Sequence, residues 1–424
     1  IHRRKDMKKK LLSAVFAATL AVSSLVGCGK KASEAGTDKT KIEFWTIDLK
    51  ANFEDYFKTM IANYEKENPN VEVNWTDIPY ADMQSKLVAA VAGGTAPDVV
   101  NLNTQFALTL AGKGALVDLN KEATAEQKSI YNEGLWNSAK IGDSVYAFPW
   151  YASPDIMFSN KELIAKAGIK EPHTYAEALK EAEDFYNKTG AYLFLPDGFF
   201  NMLVSENIDI LSKDGKKAAF NTDQTVALLE QYKALTDKGV LPKTNWGSWD
   251  EALKLFESSK LAIVSSSGSS LCRIKDEAPD VYKLINVSTP LTGSNGLSRN
   301  PLMNLVVPTA SKNHEAAIKF ANYVTNDENQ LAFCKLVSIF PSTTKASEDP
   351  FFTSNTSTLE GEASAMSAKA SLTSQDFSLG IASQDAIATA VNKAYEASII
   401  NGEDIRASLK QAEEDVNKIL SEAK

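Results

Sequence analysis

The stretch "KIEFWTIDLKANFEDYFKTMIANYEKENPNVEVNWTDI" (41–78) decides the fold class. Its two ends, "KIEFWTI" and "VEVNWTDI", have the composition of β-strands. Between them, the apolar residues at positions 53, 57, 60, 61 and 64 share one face of a helix that ends at Asn68 and Pro69. A strand, a helix and a second strand at this spacing predict parallel strands joined by a right-handed crossover.

The same alternation continues along the chain. A helix is predicted over "YADMQSKLVAAVAGG" (80–94), and a third strand over "APDVVNLN" (96–103). Capping-box patterns start two later helices, and the C-terminal helical segment breaks at Gly402. The Ser/Thr-rich stretch 352–376 is interpreted as a surface loop or irregular helix. These features predict an α/β protein, and 424 residues are enough for two domains.

A leader precedes this body. Met7 is followed by three lysines, an apolar run (11–25) and small residues that end at Cys28, which is the pattern of an export signal. The residues "LVGC" also look like the lipobox of bacterial lipoproteins, whose cysteine is acylated. We therefore expect a signal peptide over 1–27, lipidation of Cys28 and a lipid-anchored flexible tether over 28–40. The alternative is an ordinary secretory signal with an incidental cysteine.

The net negative charge of the chain excludes some classes of binding partner. The chain has 45 basic and 54 acidic residues, and loss of six basic residues and one acid with the leader leaves a net charge of −14. An acidic body repels phosphate backbones and anionic lipid, so we expect no nucleic-acid binding, and membrane contact through the lipid anchor alone. Cys272 and Cys334 lie in apolar settings and are predicted to be two buried free thiols; a disulfide between them is the alternative for an exported protein.

Three longer phrases resemble one family. They are "GGTAPDVVNLNTQFALTLAGKGALVDL" (93–119), "YAFPWYASPDIMFSNKELIAKAGI" (146–169) and "ASKNHEAAIKFANYVTNDENQLAFCK" (310–335). They resemble the extracellular solute-binding proteins of ATP-binding cassette (ABC) sugar importers, a group that includes the maltodextrin-binding proteins.

The resemblance implies a two-lobed, type II periplasmic-binding-protein-like fold. Each lobe would be a mostly parallel sheet flanked by helices, with a hinge between the lobes. Lobe 1 would comprise 41–149 and 303–344, and lobe 2 would comprise 150–302 and 345–424.

Ligand would lie between the lobes, at the carboxyl ends of parallel strands. The residues that follow the first three strands are candidates for binding it: Trp45, Asp48, Tyr80, Asn103, Thr104 and Gln105. Amide and hydroxyl groups can both donate to and accept from sugar hydroxyls. For Asn103 and Thr104, capping of the following helix is an equally good interpretation.

Further candidates come from the lobe crossing and from lobe 2. They are Trp150, Tyr151 and Asp155; Asp197 with Phe199 or Phe200; Trp246, with Trp249 as a second choice; Ser267, Ser269 and Arg273 of "SSSGSSLCR"; and Arg299, Asn300, Met303 and Asn304 of "SRNPLMN". Aromatic rings suit the apolar faces of sugars, although a tryptophan is also a common core residue. Where the family often has a stacking tryptophan, this chain has the serine-rich loop.

The expected function is non-catalytic binding of a sugar or oligosaccharide and its delivery to an ABC permease with a separate ATPase. No cofactor and no metal are expected, and we expect a monomer on the outer face of the cytoplasmic membrane of a Gram-positive cell, or otherwise in a periplasm. One alternative is a cell-surface glycosidase that uses Asp155 and Asp197. Another is a binding protein for a non-sugar solute such as a phosphorylated polyol.

Overall fold

The computed structural model describes residues 39–244, 247–337, 339–354, 356–371 and 373–422. The predicted signal peptide, Cys28, the tether up to residue 38 and Trp246 lie outside these ranges. Within them the strands are β1 Thr40–Ile47, β2 Val71–Ile78, β3 Val99–Asn103, β4 Lys140–Ile141, β5 Ser144–Val145, β6 Phe148–Ala152, β7 Ile156–Asn160, β8 Ile263–Ser266, β9 Ile285–Ser288, β10 Ser298–Arg299, β11 Leu302–Val306, β12 Phe340–Pro341 and β13 Ser374–Gln375.

The helices connect and cover these strands. They are α1 Lys50–Glu67, α2 Tyr80–Ala92, α3 Thr104–Gly112, α4 Leu119–Glu122, α5 Ala125–Ser129, α6 Glu133–Trp136, α7 Lys161–Ala167, α8 Tyr175–Thr189, α9 Phe199–Ser205, α10 Asp223–Asp237, α11 Trp249–Glu257, α12 Ser270–Glu277, α13 Pro279–Tyr282, α14 His314–Val324, α15 Asp327–Cys334, α16 Thr344–Ser347, α17 Phe351–Ser354, α18 Leu359–Ser371, α19 Gln384–Tyr395 and α20 Ile405–Glu422. The α/β class predicted from the sequence is confirmed.

The first large sheet has the strand order β12-β6-β11-β3-β1-β2. As predicted, β1 lies between β2 and β3 and runs parallel to both. The other three pairings of this sheet are antiparallel. Helix α1 crosses from β1 to β2 and buries Phe57, Met60, Ile61 and Tyr64, most of the face that the sequence pattern predicted.

The second sheet has the order β8-β7-β9, and both of its pairings are antiparallel. The expectation of a mostly parallel sheet in each lobe is therefore wrong for this sheet, and in the first sheet only the two pairings of β1 are parallel. Helix α8, which packs over it, begins with the predicted capping box: the Glu177 amide donates to the Thr174 hydroxyl at 3.1 Å. Helices α19 and α20 contribute to the same apolar core through residues such as Val391 and Leu409.

Three chain segments run side by side between the two sheets. The Asp155 amide donates to the Arg299 carbonyl at 2.9 Å, and the Asn300 amide donates to the Gln375 carbonyl at 2.9 Å. Strands β10 and β13 pair in parallel within this region. Residues 155, 299, 300 and 375 are thus held together although they are far apart in sequence, and polar side chains from all three segments meet there.

Two cysteines lie in the described residues, and neither forms a disulfide. Cys334 is buried, as predicted, and burial raises the pKa of its thiol. Cys272 is exposed, so the prediction of two buried thiols is wrong for this residue. It lies in the first turn of α12, one residue past the buried Leu271, and faces the solvent side of that helix. Within the described ranges, no helix is long and apolar enough to cross a membrane.

Candidate ligand-binding site

A groove lies at the edge of the first sheet where β2 and β3 end. We call it the central groove; it has a volume of about 470 Å³. Its lining includes residues from the first sheet, from α9 and α19, and from the segments between the sheets: Tyr80, Asn103, Thr104, Gln105, Phe200, Asn201, Arg299, Asn300, Met303, Asp376 and Asn392. The structure therefore brings together four of the six candidates that were chosen because they follow a strand.

Asn103 has two roles in this groove. Its Oδ1 accepts a hydrogen bond from the Phe106 amide at 2.8 Å and so caps α3, while its Nδ2 donates to the Tyr80 hydroxyl at 2.9 Å. Capping and lining of the groove were alternatives in the sequence interpretation, and one side chain does both. The Tyr80 side chain, 60% exposed, is fixed by this contact, and Gln105, two residues after Asn103, also lines the groove.

A second cavity adjoins the groove through Arg299, which lines both. We call it the side pocket; its volume is about 130 Å³, and Asp155, Tyr175, Asp197, Trp249 and Arg299 line it with apolar residues of the second sheet. The guanidinium of Arg299 is the junction between a polar groove and a small aromatic pocket. Such a combination of a few fixed polar groups and aromatic walls is typical of sites for small polar ligands.

Arg299 is held between two carboxylates. Its Nε lies 3.1 Å from Asp155 Oδ2 and 3.8 Å from Asp197 Oδ2. These two negative charges raise the pKa of Arg299, so the guanidinium stays charged. Burial raises the pKa of Asp155, and the nearby guanidinium opposes that rise. Together these three side chains place charged hydrogen-bonding atoms where the two cavities meet.

Trp249 presents a ring to the side pocket. The residue is 51% exposed, and its Nε1 donates to the Ser266 hydroxyl at 2.8 Å. The Arg273 guanidinium lies 5.8 Å from the ring centroid. Because a hydrogen bond and a cation both fix this exposed indole, its ring is preorganised for stacking on a flat apolar surface such as a sugar face. The sequence indicated Trp249 only as the second choice after Trp246.

The serine-rich loop does not supply the ligand groups expected of it. Arg273 is occupied by Asp250 at 2.7 Å and by Glu257 at 3.1 Å, and it lines neither cavity. The Ser267 and Ser269 hydroxyls bond each other at 2.6 Å and also lie outside both cavities. The prediction that these three residues bind ligand is corrected: Arg273 supports Trp249, and the serines close their own loop.

Three predicted aromatic residues are core residues. Trp150 is fully buried and its ring stacks on Phe333 at 5.7 Å. Tyr151 packs on the same Phe333 ring at 5.6 Å. Phe199 is also fully buried, in the core of the second sheet, and its neighbour Phe200 lines the central groove instead. A strand next to a site carries its largest rings into the core, and the sequence pattern alone did not separate the two directions.

Four other candidates either hold groove residues in place by hydrogen bonds or lie away from the groove. Trp45 and Asp48 line neither cavity, although the Asp48 carboxylate accepts a hydrogen bond from the Tyr80 amide at 2.9 Å. Thr104 lines the groove but is almost fully buried, and its hydroxyl accepts from Asn304 Nδ2 at 3.1 Å. Asn304 is fully buried, so it orients Thr104 rather than touching a ligand.

Asp376 is the main residue that sequence reasoning missed. It lies just after β13, in the stretch interpreted as loop or irregular helix, and lines the central groove. A further cavity of about 940 Å³, behind the crossing segments, shares Asp376 and Asn300 with the groove. No local motif marks Asp376, because it reaches the site only through the pairing of β13 with β10. The described residues contain no group of three or more His, Cys, Asp or Glu placed to hold a metal ion.

Asp376 gives a pH-dependent prediction. Burial raises the pKa of Asp376 to about 6 from 3.8, against the lowering effects of the Thr104 hydroxyl and the Arg299 guanidinium. The folded protein therefore binds this proton more tightly than the unfolded chain, and stability from this group falls as pH rises from about 4 to about 6. We expect Asp376→Asn to raise the free energy of unfolding by about 1–3 kcal/mol at pH 7.5 and by little at pH 4. Urea denaturation of both proteins at the two pH values checks this; an equal difference at both would contradict it.

The chain is similar to known solute-binding proteins. The model of the family described as bacterial extracellular solute-binding protein matches residues 59–359, which is more than half of the chain. The diacetylchitobiose binding protein DasA of Streptomyces coelicolor is 24% identical over 437 residues, covering 98% of this chain and all of that protein.

Two further comparisons agree with the family match. A maltooligosaccharide ABC transporter solute-binding lipoprotein of Streptococcus pneumoniae is 23% identical and covers 80% of this chain and 81% of its own length. Among solved structures, a protein from Synechococcus sp. MITs9220 that is assigned as an oligosaccharide periplasmic-binding protein superposes with a TM-score of 0.82 at 26% identity, over 90% of this chain and 99% of that one. The family match includes Tyr80, Asn103, Trp249 and Arg299 and ends before Asp376.

Proposed function

This chain belongs to the family of bacterial extracellular solute-binding proteins, and we propose from that membership that it captures a sugar or oligosaccharide and delivers it to an ABC permease. The observation that carries the proposal is the junction at Arg299. A groove lined by amides and hydroxyls meets a pocket walled by the exposed Trp249 ring at this guanidinium. Sugars combine polar edges with apolar faces, and this site offers a partner for each.

The proposed mechanism is closure of two lobes around the ligand. The lobes would be 41–149 with 303–344, and 150–302 with 345–424, joined by the segments that carry Asp155, Arg299 and Asp376. Residues on both sides of these segments line the central groove, so a ligand that touches both sides favours the closed arrangement by its differential affinity. The closed form would then dock on transmembrane subunits, whose separate ATPase drives import.

Titration with a panel of carbohydrates tests the proposed function. Maltose, maltotriose, cellobiose, N,N′-diacetylchitobiose and an unrelated amino acid can be titrated into the mature chain, with heat of binding and thermal unfolding as readouts. We expect at least one carbohydrate to bind and to raise the midpoint of unfolding, as a ligand specific for the folded state does. Binding of the amino acid alone, with no response to any sugar, would overturn the sugar assignment.

Catalysis is not part of the proposal. The family to which the chain belongs is one of binding proteins. Asp155 and Asp197, the pair considered for a glycosidase, share the guanidinium of Arg299, which holds them as a structural ion group. Release of reducing ends from any bound oligosaccharide on prolonged incubation would argue for the enzyme instead.

Lipid anchoring at Cys28 gives a cellular prediction. The apolar run before Cys28 and the polar tether after it support acylation and attachment to the outer face of the cytoplasmic membrane. We expect Cys28→Ser to release most of the protein into the medium or periplasm, with sugar affinity unchanged, because the tether is remote in sequence from the groove residues. Membrane fractionation checks the release, and Cys272→Ser is the matched control, which should stay in the membrane fraction.

A further inference from the structure

The two ligand cavities together carry an excess of negative charge. Their lining includes three carboxylates, those of Asp155, Asp197 and Asp376, and one guanidinium, that of Arg299. Arg299 lies close to Asp155 and Asp197, and its charge is shared between them. Among the described residues, no lysine or arginine lies within ion-pair distance of Asp376. Three negative charges against one positive charge leave the lining with a net charge of −2.

A second, independent feature is an unsatisfied acceptor beside Asp376. Asn300 lines the central groove, its side chain is only 3% exposed, and its Oδ1 has no hydrogen-bond donor within the part of the chain that the structure describes. The Asn300 amide donates to the Gln375 carbonyl at 2.9 Å, which holds it next to Asp376. A buried acceptor without a donor is costly, and it is satisfied when a ligand brings a donor.

The acceptors of Asp376 and Asn300 both require a hydrogen-bond donor. The Thr104 hydroxyl and the Arg299 guanidinium act on Asp376, and Asn300 Oδ1 receives no hydrogen bond from the described residues. A protonated amine has three donors and a positive charge, so it can donate to both acceptors and also reduce the net charge of the lining. A phosphate or carboxylate would instead add negative charge to a lining in which the described residues include no unpaired cation.

We infer that the central groove selects a carbohydrate that bears a protonated amino group, held by Asp376 and Asn300, over neutral and acidic sugars. This inference rests on the proposed function, which it deepens by naming the ligand class. It also gives a role in binding to the carboxylate at position 376, where burial opposes its ionisation.

The test is a comparison of matched disaccharides by calorimetry on the mature chain at pH 7. The probes are β-1,4-linked glucosamine disaccharide, its N,N′-diacetylated form, cellobiose, and cellobiose oxidised to its bis-glucuronate form. We expect the amino disaccharide to bind at least about 10-fold more tightly than its acetylated form, since a charge-assisted hydrogen bond replaces a neutral one. The advantage should shrink at 1 M salt, and the acidic form should bind most weakly.

Two variants separate a specific role of Asp376 from general electrostatics. Asp376→Asn should remove most of the 10-fold preference, measured as the ratio of the affinities for the amino and the acetylated disaccharide on the same variant. Asp385→Asn, which removes one exposed carboxylate that lines neither cavity, should leave the preference intact. Thermal unfolding of each variant shows that it is folded before it is titrated.

The outcomes distinguish this inference from the proposed function. If the acetylated or neutral sugar binds as tightly as the amino sugar, or more tightly, the inference is wrong and the proposed function stands. A preference that survives in Asp376→Asn also overturns the assignment to Asp376. If no carbohydrate of any charge binds, it is the proposed function that has failed.

Discussion

Arg299→Met is expected to abolish measurable sugar binding and to destabilise the fold. The substitution removes the one guanidinium shared by the groove and the pocket and leaves Asp155, 8% exposed, next to Asp197 without a cation. Loss of one partner from a largely buried ion group costs about 3–5 kcal/mol when burial is complete; because the Arg299 side chain is 33% exposed, we expect about 2–3 kcal/mol. Affinity should fall by more than about 100-fold, the effect of losing charge-assisted hydrogen bonds in a desolvated site.

A double variant separates stability from binding. Combining Asp155→Asn with Arg299→Met removes the uncompensated charge, so it should recover part of the free energy of unfolding without restoring affinity. Arg406→Met is the matched control, because Arg406 pairs with Asp223 at 2.8 Å on the surface, where both side chains are mostly exposed. It should change stability by no more than about 0.5 kcal/mol. Wild-type affinity in Arg299→Met would remove Arg299 from the site.

Trp249→Ala is expected to have the second largest effect on binding. Stacking of a sugar face on a fixed indole should contribute about 1–3 kcal/mol, the magnitude measured for stacking of flat ligands on aromatic side chains, so affinity should fall by about 10- to 100-fold. Because the ring is half exposed, the unfolding free energy should change by less than about 1 kcal/mol. Isothermal titration with the sugar found to bind checks the affinity, and quenching of tryptophan fluorescence should weaken in the variant.

Two controls accompany Trp249→Ala. Trp249→Phe keeps a flat ring but loses the bond to Ser266, so it should retain an intermediate affinity. Leu336→Ala removes another exposed apolar side chain, 57% exposed and outside both ligand cavities, and should bind sugar normally. An affinity unchanged in Trp249→Ala would show that the ring is not a stacking surface.

The local structure was predictable because its signals are local. The helix α1 pattern, the stop at Asn68 and the capping box at Thr174 all depend on residues within a few positions of one another, and each forms as expected. The direction of strand pairing in the second sheet was not predictable, because β7 pairs with β8 and β9, which lie about 100 or more residues away in sequence. A single strand sequence does not encode the direction of so distant a partner.

The site residues also divide into those with a local sequence signal and those placed by long-range contacts. Asn103 and Gln105 were found because a residue that follows a parallel strand lies at the binding edge whatever its partners are. Trp150 was misplaced because an aromatic residue in a strand faces the core or the site according to the register of that strand with its neighbours. Asp376 was missed because it joins the groove through β13 and β10, a pairing of two-residue strands with no sequence signal.

A crystal structure of the mature chain with the carbohydrate that binds in calorimetry tests the central claim most directly. We expect density for the sugar in the central groove, with polar contacts to Asn103, Gln105 and Arg299 and one ring face against Trp249. Density for the sugar outside both cavities, or a bound solute that is not a carbohydrate in the groove, would contradict it.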